Sequence, residues 1–415
     1  MKVLILGSGL LGVTTAYVLA SRGHPVEVIE RQGKSGLETS FANGGQLSYS
    51  HAEPWACPHV LTKLPKWLTH ADSPLVFRPR ADMDMYLWGL RFLRNCTPGR
   101  AERNCIDILR LSLYSRLKMQ EIMTATHVEF DYIAQGILHL FSSERELAGA
   151  IKQMDFQAKF GCEQRVLSAQ ETLELEPTLA DNATPIVGAI HSHMDASGDA
   201  HKFCVELAKY CAEKLGVVFH YETGIMQIAA ADDRIAYVES EKGKHTADAY
   251  VMALGSYSSP FLRGLGITVP VYPMKGYSIT VPANEHAPRV SVTDGRHKIV
   301  FSRLGNQLRV AGTAEFAGYD DTIAERRIAP IANAARQIFP KVDWDTRLHE
   351  WACLRPQTPT GRPLLGPSPI VNLFLNTGHG TLGWTHAAGS AYIVADAMEN
   401  RPPEITTGGL TLATQ

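Results

Sequence analysis

The chain begins Lys2-Val-Leu-Ile-Leu6, Gly7-Ser-Gly9-Leu10-Leu11-Gly12, then runs through Val13 to Ser21 into Val26-Glu-Val-Ile29 and Glu30. A bare apolar strand, a glycine turn, an apolar helix and a second strand make one complete βαβ unit. Gly7 permits the tight turn, Gly9 lets backbone approach a pyrophosphate, and Gly12 lets the helix pack closely on the sheet. The helix opening at Leu10 and Leu11 offers unpaired N–H groups and a positive dipole end to phosphates. Glu30, with Arg31 beside it, ends the second strand where a carboxylate accepts from ribose hydroxyls. An acid there also repels a ribose phosphate, which argues against NADP. NAD and FAD both carry the ADP moiety, so this stretch leaves both open.

At 415 residues the chain is long enough for two domains with their own cores. Its 40 basic and 42 acidic residues nearly cancel, which predicts no nucleic-acid surface and no strong pull towards acidic lipids. The seven cysteines form no CxxC pair and no even framework, so reduced thiols in a cytoplasmic protein are expected, with no metal site. Met1 is followed at once by a strand the fold needs, so no signal peptide is expected. No apolar run reaches about 18 residues, so no membrane span is expected.

The pattern beyond residue 33 alternates between two kinds of structure. A loop-rich segment with small and amide residues comes first. A helical region from Met85 to Thr126 follows, with Ile106, Leu109, Leu113 and Leu117 at helical spacing. Asp199 reads as the N-cap of a helix from Ala200 to Leu215, ended by Gly216. Strands at 270–281, 289–294, 298–303 and 307–313 read as an antiparallel meander, and a last helix as Ala387 to Asn400. The fold expected is α/β: a Rossmann-like nucleotide-binding domain (1–84, 186–268 and 350–415) interleaved with an α+β substrate domain (85–185 and 269–349). The ligand then lies between the layers.

An ordered set of stretches resembles one family across nearly the whole chain. They are Thr39-Ser-Phe-Ala-Asn-Gly-Gly-Gln46, Pro54-Trp55, Gly198-Asp199, Ala253-Leu-Gly-Ser-Tyr257, Tyr272-Pro-Met-Lys-Gly-Tyr-Ser278 and Arg309-Val-Ala-Gly-Thr-Ala-Glu315. The most specific are Leu354-Arg-Pro-Gln-Thr-Pro359 and Asn376-Thr-Gly-His-Gly-Thr-Leu-Gly-Trp384. They are similar to the FAD-dependent D-amino acid dehydrogenase (small-subunit) family, within the D-amino acid oxidase and glycine oxidase group. The resemblance implies non-covalent FAD, a D-amino acid substrate oxidised at the amine carbon (D-proline types included), and a quinone or other acceptor. It also implies a peripheral contact on the inner face of the cytoplasmic membrane.

Particular residues suit that chemistry. The glycine-dense turn Gly378, His379, Gly380, Thr381, Leu382, Gly383 supplies N–H groups and a helix N-terminus to a flavin's polar edge. A packed turn histidine is the other reading of His379. Ser40, Asn43, Gly44, Gly45, Gln46 and Gly255 are expected to approach the cofactor, a simple surface turn being the alternative for 43–45. Arg355 is the first choice for the substrate carboxylate, which a planar guanidinium takes in a bidentate fork. Arg303 and Arg309 are weaker alternatives, and a structural ion pair is the bland reading. Tyr272, Lys275 and Tyr277 cluster on one strand, where only one tyrosine can face the pocket. Thr360 stands where the family usually has aspartate, and His51-Ala-Glu53 is unusual, so substrate preference is open. Cys353 near Arg355 is not read as a flavin attachment.

The segment Trp55 to Leu93 carries Trp67, Trp88, Lys63, Lys66, Arg78, Arg80 and Arg91. It reads either as a lipid-facing patch or as a helix packed on the substrate domain. An oxygen-using oxidase, an NAD-dependent dehydrogenase and a non-catalytic flavoprotein subunit remain alternatives. The sequence does not set the oligomeric state.

Overall fold

The structure is a computed structural model that describes residues 1–62 and 75–414, so Lys63, Lys66 and Trp67 lie outside the described residues. The opening unit forms as the glycines dictate: strand Val3–Leu6, helix Leu10–Ser21, strand Val26–Ile29. Val3–Leu6 pairs in parallel with Val26–Ile29 on one side and Ala249–Met252 on the other. Val218–His220 and Leu373–Thr377 continue the parallel run, and Leu364–Pro367 closes one edge antiparallel, giving six strands. All of Val3–Leu6 is buried, as a parallel strand covered on both faces must be. Helices Leu10–Ser21, Ala200–Leu215 and Gly383–Met398 cover one face. On the other face Ile228, Ile235 and Val238 of a three-stranded antiparallel ribbon complete the core.

Asp199 caps its helix as its side chain suggests, accepting from the His201 and Lys202 N–H groups, and Gly216 ends that helix at φ 70°. The long helical region divides into Met83–Asn95 and Pro98–Thr126. Pro98 has no N–H to continue a helix but is suited to starting one. Of the stripe read from spacing, Leu109 is buried and Leu113 packs on a core cluster, but Leu117 is 59% exposed. Ser115 also turns inward, against Gly389, where an added Cβ would meet Ser115 at 2.9 Å.

The second layer is a nine-stranded sheet. Its order is His349–Gln357, Tyr272–Pro282, Gln307–Phe316, Ile299–Leu304, Ser291–Asp294, Ile137–Phe141, Gly188–Ser192, Arg165–Ser168, with Leu75–Phe77 also beside Gln307–Phe316. Two features depart from the expected meander. Tyr272–Pro282 pairs with Gln307–Phe316 rather than with its successor, and two pairings are parallel. Gly188–Ser192 and His349–Gln357, read as nucleotide-side segments, both belong to this sheet, because Ile137–Phe141 and Tyr272–Pro282 supply their partners. Helix Glu325–Ile338 packs beneath it, with Ile328, Ile331 and Ile338 fully buried against Phe301 and Phe339. Each such side chain contributes about 1.5–3 kcal/mol.

Among the described residues no helix is long and apolar enough to cross a membrane. All seven cysteines are buried, and none of them forms a disulfide.

Candidate cofactor and substrate site

A long cleft runs between the two sheets, from the first βαβ turn to the strand His349–Gln357. At its outer end Gly7 adopts φ +98°, and an added Cβ would meet the Ala253 carbonyl oxygen at 2.8 Å. At Gly12 a Cβ would lie 1.9 Å from the Gly7 carbonyl oxygen, so the helix can start only with glycine there. Gly9 provides no side-chain cap, and Ser40 Oγ accepts from the Leu10 N–H at 3.1 Å. Glu30 is buried at the cleft wall, its carboxylate accepting from the Ser8 N–H at 2.8 Å and the Gln32 N–H at 2.9 Å. Arg31 lies over the Tyr257 ring at 4.3 Å and is held by Glu38 at 2.8 Å, so its guanidinium is fixed at the rim.

At the inner end the turn after Leu373–Thr377 meets the cleft with Asn376, His379, Gly380, Thr381 and Gly383. Gly378 and Gly380 have φ 81° and 55°, and a Cβ on Gly380 would strike Gln357 Oε1 at 2.2 Å. His379 shares a 2.9 Å hydrogen bond between Nε2 and Ser390 Oγ, while its buried Nδ1 has no partner. Burial, reinforced by His386, holds His379 well below the ordinary imidazole range, so it is neutral. Helix Gly383–Met398 starts here, also without a side-chain cap. The N-termini of two helices therefore open on one cleft, each presenting a positive dipole end.

Arg355 reaches the cleft from the large sheet. Its strand neighbour is Met274, but its guanidinium lies over Gly276, where a Cβ would meet Arg355 Cζ at 2.3 Å. Gly276 is therefore the seat of the guanidinium, a role nothing in its own sequence surroundings announces. Among the described residues no carboxylate pairs with Arg355. Burial pushes it down to about 10, which leaves it charged at neutral pH. The alternatives are engaged elsewhere: Arg309 with Asp199 at 3.7 Å and Thr280 at 3.3 Å, Arg303 with the Ala287 and Asn284 carbonyls at 3.4 Å.

The structure does not bring every expected residue to this cleft. Tyr272, Lys275 and Tyr277 do not line it. The Tyr272 hydroxyl donates to Asp82 at 2.7 Å and that of Tyr277 to Glu315 at 2.6 Å. Lys275 is buried and donates to Asp320 at 3.1 Å and to the Thr322 carbonyl at 3.0 Å. Buried polar groups take the partners nearest to them, and here those are carboxylates of the same layer. Gly44 and Gly45 owe their lack of side chains to the large sheet: Cβ atoms would meet Val300 at 2.8 Å and Ser302 at 3.1 Å. Asn43 and Ser40 line the cleft, whereas Gln46 donates to Ser291 at 2.9 Å. Gly255 lines it, while Gly378 and Leu382 shape the turn from behind. Thr39, Thr223, Tyr257, Trp351 and Asp321 line the cleft without having been singled out. Thr39 and Tyr257 lay within motifs already quoted; Trp351 and Asp321 carry no local signal. His51 stacks on His139 with ring centroids 6.2 Å apart, and Glu53 faces His59 at 3.6 Å.

Comparison with known proteins agrees with this geometry. The family model described as "FAD dependent oxidoreductase" matches residues 2–397. A D-amino acid dehydrogenase of Dechloromonas aromatica (strain RCB) is 46% identical over 411 residues, covering 97% of this chain and 98% of that protein. One of Paramagnetospirillum magneticum (strain ATCC 700264 / AMB-1) is 46% identical over 413 residues, covering 99% and 98%. Among solved structures, glycine oxidase from Geobacillus kaustophilus superposes with a TM-score of 0.78 at 22% identity, covering 99% of this chain and 98% of that one. L-proline dehydrogenase from P. horikoshii gives 0.75 at 17%, covering 97% and 94%, so these two share the fold. With a nucleotide turn and a glycine-rich inner turn facing one cleft, and with a family match from end to end, the chain belongs to the FAD-dependent oxidoreductases.

Proposed function

We propose that this enzyme oxidises D-amino acids at the carbon bearing the amine and passes the electrons to a quinone or another acceptor. The observation that carries the reading is Arg355, a charged guanidinium without a carboxylate partner among the described residues, at the inner end of a cofactor cleft. The 46% identical relatives named D-amino acid dehydrogenase support the substrate class.

The residues present fit FAD. Gly7, Gly9 and the start of Leu10–Ser21 would hold the pyrophosphate, and Glu30 the ribose. The unpartnered Asn376 Oδ1 and His379 Nδ1 would meet the flavin's polar edge, beside the N-terminus of Gly383–Met398. When bound, FAD supplies the hydride acceptor. Arg355 holds the substrate carboxylate in a fork, which fixes the direction of the Cα–H bond. The amine enters deprotonated, so the chain need not provide a strong base. Leu254, Phe261 and Trp384 give the cleft apolar walls that exclude water. Burial pushes the Cys353 thiol up to about 11 and keeps it protonated, in keeping with a cofactor held without a covalent link. The imino acid product hydrolyses in water to a 2-oxo acid and ammonia; a proline-type substrate leaves a cyclic imine.

A peripheral membrane contact is the finer part of the proposal, supported by the helix Met83–Asn95. Its inner face buries Met85, Trp88 and Phe92, with Trp88 Nε1 donating to the Gln357 carbonyl at 2.8 Å. Its outer face presents Met83, Tyr86, Leu87, Leu90 and Leu93 to solvent, flanked by Arg91 and Arg94. An apolar stripe with arginines beside it suits an anionic lipid surface.

The test is the visible spectrum of the purified flavoprotein under anaerobic conditions, during addition of D-alanine, D-proline and their L forms. D forms alone should bleach the flavin band. Bleaching by neither form, or equally by both, would overturn the reading. Rapid reoxidation on admitting air would assign oxygen as the acceptor in place of a quinone.

A further inference from the structure

A second cleft lies on the outer side of the loop that follows Arg355, where the helices Met83–Asn95 and Pro98–Thr126 meet. Arg91 and Arg94 enter it from the first helix, Arg100, Arg103 and Asn104 from the second, and Arg362 from the loop. No carboxylate lines it among the described residues. Asp107, behind it, is taken by Arg362 at 2.8 Å and Arg110 at 3.3 Å. Among the described residues Arg91, Arg94 and Arg103 make no ion pair, and Arg100 donates only to the Arg94 carbonyl, at 3.0 Å. The cluster is therefore a concentration of positive charge with little to offset it.

Two further observations point at a ligand. Asn104 is 3% exposed and its Nδ2 has no partner, and Arg362 Nε, also buried, has none. Each is a donor, and a buried donor left unmade costs about 1–3 kcal/mol. The helix Pro98–Thr126 adds to the same sign. Thr97 gives it no side-chain cap, and its first turn holds no acidic residue. Its positive dipole end thus meets arginines instead of the carboxylate that normally offsets it.

We propose that this cleft binds a phosphate-class oxyanion, free or carried on a lipid headgroup. A tetrahedral oxyanion with several acceptor oxygens can accept from the recessed Asn104 Nδ2 and Arg362 Nε together while the outer guanidinium forks neutralise it. A single carboxylate has too few oxygens to meet both recessed donors and the rim. The inference uses none of the amino acid chemistry above; its lipid arm shares Arg91 and Arg94 with the membrane face proposed there, from which pyrophosphate binding and Asn104→Leu distinguish it.

The test uses the flavin-loaded protein in two arms. In the first, pyrophosphate is titrated at ionic strength held constant with sodium chloride, and thermal unfolding is followed. In the second, co-sedimentation is measured with vesicles of phosphatidylcholine alone or with an added anionic phospholipid. A saturable rise in Tm with pyrophosphate assigns a soluble oxyanion. Binding only to the anionic vesicles assigns the headgroup. In either case the triple variant Arg91→Gln, Arg94→Gln, Arg103→Gln should weaken the interaction by about tenfold or more. Asn104→Leu should also weaken it without lowering the Tm of the ligand-free protein, because it removes an unmade donor. No saturable effect in either arm, or equal binding by the triple variant, would overturn the proposal. Flavin bleaching by D-amino acids in the triple variant should match the parent protein, which separates this failure from failure of the enzyme assignment.

Discussion

At Gly7 the wall of the main cleft is bare backbone, while at Arg355 it is a side chain carried in from a different sheet. The first is made by residues next to each other in the chain: strand, glycine turn, helix start. The second needs Gly276 and Arg355, far apart in sequence and joined by the pairing of Tyr272–Pro282 with His349–Gln357. The nucleotide end therefore tolerates no added atoms at Gly7 and Gly12, and the substrate end depends on one long-range seat. The two regions should fail in different ways when altered.

The largest effect is expected at Gly12. Gly12→Val places its Cβ where the Gly7 carbonyl already sits, 1.9 Å away, so the helix must shift. The purified variant should lack bound flavin and all amino acid oxidation, and its absorbance ratio would reveal retained cofactor if the packing argument were wrong. Arg355→Ala should behave oppositely, keeping flavin but losing about 2–5 kcal/mol of substrate binding, or roughly 30- to 5000-fold in kcat/KM. Tyr277→Phe is its control: the hydroxyl is held by Glu315, so kcat/KM should change by less than about twofold. Equal losses in the two variants would erase the distinction between the cleft and the layer behind it.

A smaller effect, on stability alone, is expected at the seam between the regions. Asp195 lies between Gly188–Ser192 of the large sheet and Ala196–Ser197, which pairs with Gln46–Leu47. Burial pushes its carboxyl up to about 7, although Ser50 donates to it through N–H at 2.9 Å and Oγ at 2.6 Å. A value raised in the fold means the neutral form is favoured there. That contribution is complete below about pH 4 and is lost as pH rises through about 7. Asp195→Asn should gain stability relative to the parent across that window, by up to about 4 kcal/mol at its upper end. Denaturant midpoints at several pH values test this, and a parallel offset between the two proteins would refute it.

Legibility in the sequence follows the same divide. The βαβ turn, the Asp199 cap and the glycine turn at 378–383 are local patterns, and each lies where its residues imply. The functions of Tyr272, Lys275 and Tyr277 were not legible, because alternation along a strand gives two faces but not which carboxylate waits on each. Gly44 and Gly45 illustrate the same limit: their glycine requirement comes from Val300 and Ser302, strands that approach only after folding. The sequence likewise gave no sign that Trp351 and Asp321 would border the cleft.

The parallel sheet has a consequence for how the chain is made. Its inner strand Val3–Leu6 is synthesised long before its neighbour Ala249–Met252, and Leu373–Thr377 comes later still. The helix that packs on Leu10–Ser21, Gly383–Met398, comes later again. Until Ala249–Met252 is made, the nascent chain therefore holds an apolar strand with an unpaired edge, a template for wrong pairings. Only once Leu373–Thr377 and Gly383–Met398 have been made can the parallel sheet close and its face be covered.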